Sequence, residues 1–148
     1  MFRGQFQHSV DAKGRISVPA RFRELLTADG TTRFIVTPAA FDPCLHVYPM
    51  RAWEEFERKI SDLPSLDANV TRFRRIYVSA AVECELDAAG RLLVPPALRE
   101  RARLEKDAIW AGMGRVIELW SKPEFDRSLT MTADEAAAFR AAMEQMKL

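Results

Sequence analysis

The hydrophobic pattern of this 148-residue chain changes period several times. Residues 2–10 and 78–86 mix aromatic, β-branched and polar side chains without helical spacing, which predicts extended strands. Arg15–Val18, Arg91–Val94, residues near 33–37 and 45–48, and residues near 108–111 and 116–120 read the same way, with Gly112-Met-Gly114 joining the last pair tightly. A proline follows Val18 and Val94; it donates nothing to a ladder but suits a first helical turn, so short helices are expected over 19–26 and 95–102. Trp53, Phe56 and Ile60 share one face of a predicted helix over 50–60, and Val70, Phe73 and Tyr77 share one over 67–78. A last helix opens on the capping-box pattern Thr132-Ala-Asp-Glu135 and carries Phe139, Met143 and Met146 at helical spacing. That face is expected to pack against something.

The chain repeats itself. Residues 11–24, Asp-Ala-Lys-Gly-Arg-Ile-Ser-Val-Pro-Ala-Arg-Phe-Arg-Glu, align at an offset of 76 with residues 87–100, Asp-Ala-Ala-Gly-Arg-Leu-Leu-Val-Pro-Pro-Ala-Leu-Arg-Glu. Eight of the fourteen positions are identical, where unrelated sequence gives about one, so the halves derive from one unit. Leu45-His-Val-Tyr48 then matches Ile117-Glu-Leu-Trp120 at an offset of 72, and Trp53-Glu54 matches Phe125-Asp126. Two copies are too few for a solenoid, so a two-fold pseudo-symmetric domain is predicted.

Each copy carries Asp-x-x-Gly-Arg. Asp11 and Asp87 can accept backbone hydrogen bonds two residues on, and Gly14 and Gly90 supply the positive φ of a tight turn. Arg15 and Arg91 are then the first residues beyond two hairpin tips, expected side by side across the pseudo-dyad with their guanidinium groups in solvent. A guanidinium matches phosphate oxygens and the O6/N7 edge of guanine bidentately. A plain turn with a solvated arginine is the simpler reading of one copy. Turn geometry needs only the aspartate and the glycine, however, so the arginine kept in both copies points to binding.

Composition is that of an ordinary globular protein, with 48% hydrophobic and 29% charged residues. The uncharged apolar runs are far shorter than a membrane span. The start, Met1-Phe-Arg-Gly-Gln5, lacks an apolar run with a small-residue cleavage site, which predicts that the protein stays where it is made. Two cysteines, Cys44 and Cys84, fit a reducing compartment. Net charge is only +1, so a nucleic-acid role rests on local distribution. Residues 1–23 hold Arg3, Lys13, Arg15, Arg21 and Arg23 against Asp11 alone.

Met1-Phe-Arg-Gly, Asp11–Pro19 and Asp87–Pro95, in a chain of this length, resemble the MraZ family over nearly the whole sequence. The resemblance implies an α+β fold, a pseudo-two-fold β-barrel built from two AbrB-like (SpoVT-AbrB) swapped-hairpin repeats with peripheral helices. It divides the chain into repeat 1 (5–52), a helical linker (53–80), repeat 2 (81–124) and a C-terminal helical extension (125–148). It implies a cytoplasmic, nucleoid-associated transcriptional regulator, encoded at the head of the division and cell-wall gene cluster. Such a protein assembles into a ring and binds direct repeats of double-stranded DNA in its own promoter, with no small-molecule substrate and no membrane. By position the motif falls on Asp11, Gly14 and Arg15 and on Asp87, Gly90 and Arg91, with Lys13 and Arg3 as further DNA contacts. Ala89 stands where the first turn has Lys13, so the two tips need not contact DNA equally.

Other basic residues, Arg21, Arg23, Arg99, Arg101 and Arg103, could position a phosphate backbone or pair with Glu24, Glu100 and Glu105. Arg72 and Arg75 lie three apart on a helix flank while Arg74 points elsewhere, which suits an interface or solvent more than DNA. An enzymatic alternative, Asp11 and Asp87 sharing a proton as an acid–base pair, requires both to be buried together, yet each has an arginine close behind it that keeps it ionised. His8, His46, Cys44 and Cys84 lack a repeated ligand pair such as Cys-x-x-Cys, so no metal site is expected. Neither a phosphate-cradling loop nor a nucleophile elbow occurs, and no cofactor is expected. A purely structural oligomer is the remaining alternative; neutral net charge favours it and the duplicated arginines oppose it.

Overall fold

A computed structural model describes residues 1–148. Eight strands and six helices alternate: β1 (Gln5–Ser9), β2 (Arg15–Ser17), α1 (Ala20–Leu26), β3 (Arg33–Pro38), β4 (Cys44–Pro49), α2 (Met50–Ser61), α3 (Ala68–Phe73), β5 (Val82–Glu85), β6 (Arg91–Leu93), α4 (Pro96–Arg101), β7 (Asp107–Gly112), β8 (Ile117–Ser121), α5 (Lys122–Leu129) and α6 (Ala133–Gln145). Six strands form one antiparallel sheet in the order β1-β7-β8-β4-β3-β5, and β2 pairs with β6 in a separate antiparallel ribbon. The fold is therefore α+β.

The order reads symmetrically about its middle. β1, β2, β3 and β4 correspond to β5, β6, β7 and β8, so a pseudo-dyad passes between β8 and β4. Each repeat's first strand pairs with the other repeat's third, β1 with β7 and β5 with β3. Neither repeat closes a sheet alone. In β4 and β8 the equivalent residues His46 and Glu118 face each other in register, which puts the pseudo-dyad through that pair.

Alternation along the strands builds a core on one side of the sheet. Phe34, Val36, Leu45, Val47, Trp110, Ile117 and Leu119 point to it, and Ile16, Val18, Leu92 and Val94 close it from the ribbon, with Phe22 and Leu98 of α1 and α4. The Trp110 indole donates to the Ser17 carbonyl at 3.0 Å, tying sheet to ribbon. On the other face Ile35 and Tyr48 meet the aromatic stripe of α2 and of the segment after α3: Trp53, Phe56, Phe73 and Tyr77. Phe73–Tyr77 and Phe56–Tyr77 ring centroids lie 5.1 and 5.3 Å apart, distances at which aromatic pairs attract. Phe125 of α5 covers Ile109, Ala111 and Trp120 on the same face of the other half.

Two expectations change. The helix predicted over 67–78 is α-helical only to Phe73 and continues as a π-helical turn, Arg74–Val78. The wider turn brings the Tyr77 carbonyl to the buried Thr37 hydroxyl at 2.6 Å, and it consumes the start of the strand expected over 78–86. The C-terminal helix forms its capping box, but none of its residues is buried and Phe139 is 53% exposed. Its alanines and capping box stabilise it locally, while Phe139 and Met146 stay exposed and Met143 is only half-buried. α5 is the repeat counterpart of α2.

Candidate nucleic-acid interface

Both hairpin tips are built from one set of bonds. Asp11 Oδ1 accepts from the backbone N–H groups of Lys13 and Arg15, each at 2.9 Å, while its Oδ2 accepts from Arg15 Nε at 2.7 Å. Asp87 does the same with Ala89 N, Arg91 N and Arg91 Nε, all at 2.9 Å. Backbone bonds Gly14 N–H to Asp11 O and Gly90 N–H to Asp87 O close the turns. Gly14 and Gly90 sit at φ +83° and +76°, the left-handed region where a Cβ is disfavoured. Donation from the Arg15 amide above all, then from its side chain and the Lys13 amide, holds the Asp11 carboxyl below its ordinary 3.8, and Asp87 is lowered in the same way by Arg91 and Ala89. Two ionised carboxylates, each occupied by its own arginine, do not form a proton-sharing pair.

Arg15 and Arg91 lie on one face of the β2–β6 ribbon. Arg15 is opposite Leu93 and Arg91 opposite Ser17, so the two are diagonal neighbours with Cα atoms roughly 8 Å apart. Ile16 and Leu92 point the other way, into the core. The guanidinium groups are less free than expected, with side chains only 32% and 34% exposed. The Nε edge is tied back to aspartate, while the terminal nitrogens make no hydrogen bond within the chain. Each fork is thereby aimed before any ligand arrives.

Arg23 and Arg99, equivalent positions in the repeat, have a part that sequence reasoning missed. Arg99 of repeat 2 lies over the turn of repeat 1, where a Cβ added to Gly14 would clash with its guanidinium. Arg23 lies likewise over Gly90, at 2.9 Å, and donates to the Val18 carbonyl at 2.8 Å. Their identity in both copies was the available signal. Each turn is thus propped by the other repeat.

The remaining basic residues disperse. Lys13 is exposed at the first tip. Arg3 is not brought there: its backbone neighbours Gly112, at the opposite end of β1, which puts about 20 Å of strand between it and the turn. Arg21 pairs with Glu24, and Arg103 pairs with Glu124 rather than with Glu100 or Glu105. Arg74 donates to the Ile60 carbonyl at 2.8 Å, capping the end of α2.

Of the four residues weighed as zinc ligands, His8 and Cys84 stand on the edge strands β1 and β5, at opposite ends of the sheet. Cys44 and His46 instead converge with Glu118 at the pseudo-dyad, one donor atom from each within 4.8 Å of the others. Burial raises the pKa of the Cys44 thiol; at Glu118 burial works in the same direction but is outweighed by His46 and Trp120, which lower it.

No helix is long and apolar enough to cross a membrane. A family model described as "MraZ protein, putative antitoxin-like" matches the chain twice, over residues 1–76 and 77–148. A protein of Desulforamulus reducens named transcriptional regulator MraZ is 49% identical over 127 residues, 86% of either chain. Namesakes from Moorella thermoacetica and Azotobacter vinelandii are 41% and 48% identical, covering 97% and 82% of this chain and 96% and 80% of their own.

Proposed function

Given that the chain belongs to the MraZ family, we propose that it is a transcriptional regulator, not an enzyme, which binds double-stranded promoter DNA through its two Asp-x-x-x-Arg hairpin tips. One observation carries this reading: Arg15 and Arg91 share a face, each held on its Nε edge by its own aspartate while its terminal nitrogens make no hydrogen bond within the chain. A fork fixed this way presents two N–H groups to a guanine edge or a phosphate without losing further side-chain freedom. Lys13 adds a phosphate contact at the first tip. Arg3, at the far end of β1, lies outside this surface. The exchange of strands between repeats supports a swapped-hairpin, barrel-like AbrB arrangement, with residues 5–52 and 81–124 as its repeats, 53–80 as linker and 125–148 as extension. No ladder joins the ribbon to the sheet edges, so closure rests on side chains.

A protomer of net charge +1 binds DNA weakly at physiological salt, because non-specific affinity comes from counterion release at a few phosphates. We therefore infer a ring of protomers on direct repeats about one helical turn, roughly 10 base pairs, apart. In this reading the protein works on the nucleoid, on the promoter of its own division and cell-wall operon. Footprinting on the DNA upstream of its gene tests it. Regularly spaced protection is expected; five base pairs inserted between neighbouring repeats weaken binding steeply, and ten restore part of it. Absence of protection overturns the regulator reading, and equal affinity for both altered promoters overturns coupled binding.

A further inference from the structure

We propose that Cys44, His46 and Glu118 form a binding site for one zinc-class divalent ion at the pseudo-dyad of the sheet. The inference is independent of the DNA reading. Cys44 and His46 are two apart on β4 and so project from the same face, the one opposite the core that Leu45 and Val47 enter. Glu118 of β8 stands directly across from His46. One donor atom from each residue lies within 4.8 Å of the other two.

The two oxygen and nitrogen ligands are already oriented by the outer partners a metal site requires. His46 Nδ1 is hydrogen-bonded to the Tyr77 hydroxyl at 2.6 Å, and Glu118 Oε2 accepts from the Trp120 indole N–H at 2.8 Å. A ligating histidine whose other nitrogen is held, and a ligating carboxylate whose other oxygen is held, are the usual second layer of such sites. This leaves His46 Nε2 and Glu118 Oε1 facing each other at 3.6 Å, too far for a hydrogen bond. It is close to the spacing of about 3.3 Å that nitrogen and oxygen donors take around a tetrahedral ion with bonds of about 2.0–2.1 Å. From within 4.8 Å the thiol has to move in by no more than about 1.3 Å to complete three ligands at zinc bond lengths.

Donor chemistry selects the ion. Sulfur with imidazole nitrogen and one carboxylate suits Zn²⁺ or Co²⁺ and disfavours Ca²⁺ and Mg²⁺, which take oxygen ligands. Binding displaces the Cys44 thiol proton to solvent, and the three protein ligands leave a fourth position for water. A cleft lined by Gly4, Gln5, Trp120, Phe125 and Leu129 reaches Glu118. Two ligands come from the first repeat and one from the second, so a bound ion ties the halves at the point where they meet. The second repeat has Val116 where the first has Cys44, so one site per chain is expected.

The test uses the full chain, stripped with chelator and titrated with Co²⁺ or Zn²⁺ alone. Expected are one ion per chain, a sulfur-to-cobalt charge-transfer absorption, and a melting temperature that rises with Zn²⁺ concentration. Cys44→Ser abolishes the charge-transfer band and Cys84→Ser keeps it. Glu118→Gln, which retains an acceptor for Trp120, lowers affinity at least about tenfold, and it decides the matter should Cys44→Ser not fold. No stoichiometric binding, a band that survives Cys44→Ser, or unchanged affinity in Glu118→Gln overturns the proposal.

Discussion

The two repeats agree closely at their hairpin tips and part company beyond them. At residues 11–15 and 87–91 the same three hydrogen bonds form, at distances that differ by no more than 0.2 Å between the copies. Downstream, repeat 1 adds α2, α3 and a π-helical turn sealed by stacked aromatics, whereas repeat 2 adds α5 and an α6 with no buried residue. Packing tolerates such divergence because any apolar side chain of suitable volume fills a core. A turn that aims a guanidinium does not, because it needs one carboxylate, one left-handed residue and one arginine in fixed order. Identity between copies thus separates what must be aimed from what must merely be covered.

The tips nevertheless differ in two details, and these predict unequal mutants. The largest effect is expected from Gly14→Val. The left-handed φ costs roughly 1–2 kcal/mol in a side-chain-bearing residue, and the new Cβ would also clash with the Arg99 guanidinium and have to displace it. Gly90→Val meets Arg23 at 2.9 Å and should cost less. Thermal melting of the two variants measures the order, with the Gly14 variant lower by a few degrees and impaired in DNA binding. Equal melting temperatures would mean that the props are interchangeable.

Next come the arginines taken singly. Arg15→Ala and Arg91→Ala should each lower promoter affinity by about ten- to a hundredfold, corresponding to roughly 1–3 kcal/mol per bidentate contact. Stability should change by no more than about 1 kcal/mol, the range of a partly exposed ion pair, because the backbone amides still hold each aspartate. A loss confined to one variant would show that the tips do not act as a pair.

Lys13 and Ala89 are the one difference in sequence between the two loops. Removing a phosphate contact lowers the slope of log affinity against log salt by about one, so Lys13→Ala should flatten it and Ala89→Lys steepen it. Fluorescence anisotropy across a salt series provides the measurement.

The smallest effect concerns acid. Because the folded-state pKa values of Asp11 and Asp87 are depressed, the stability they contribute is fully present above the ordinary 3.8 and is lost as pH falls through their lower folded values. Amide resonances of Lys13 and Ala89 should follow that titration below pH 3.8, and Asp11→Asn should abolish it at Lys13 alone.

Much of this was legible in the sequence. The repeat announced the pseudo-dyad, Asp-x-x-Gly specified both turns, and the 3.6-residue spacing of Trp53, Phe56 and Ile60 located the aromatic face of α2. Strand pairing was not legible, since alternation says which face a residue occupies and nothing about its neighbour. The exchange of β1 and β5 between repeats, the props at Arg23 and Arg99 and the meeting of His46 with Glu118 all depend on pairing. The offset of 72 did hold a hint of the last, because residues that are equivalent across a dyad between two strands can face each other. The π-helical turn was hidden because Val70, Phe73 and Tyr77 fit an α-helical stripe equally well.

Whether the paired tips are the DNA-reading surface is decided by titrating the Arg15→Ala/Arg91→Ala double variant against the DNA upstream of its own gene, beside the wild-type protein and at one fixed salt concentration. Specific binding should fall to the level seen with unrelated DNA while the melting temperature stays within a few degrees of wild type. Wild-type affinity in a folded double variant would contradict it.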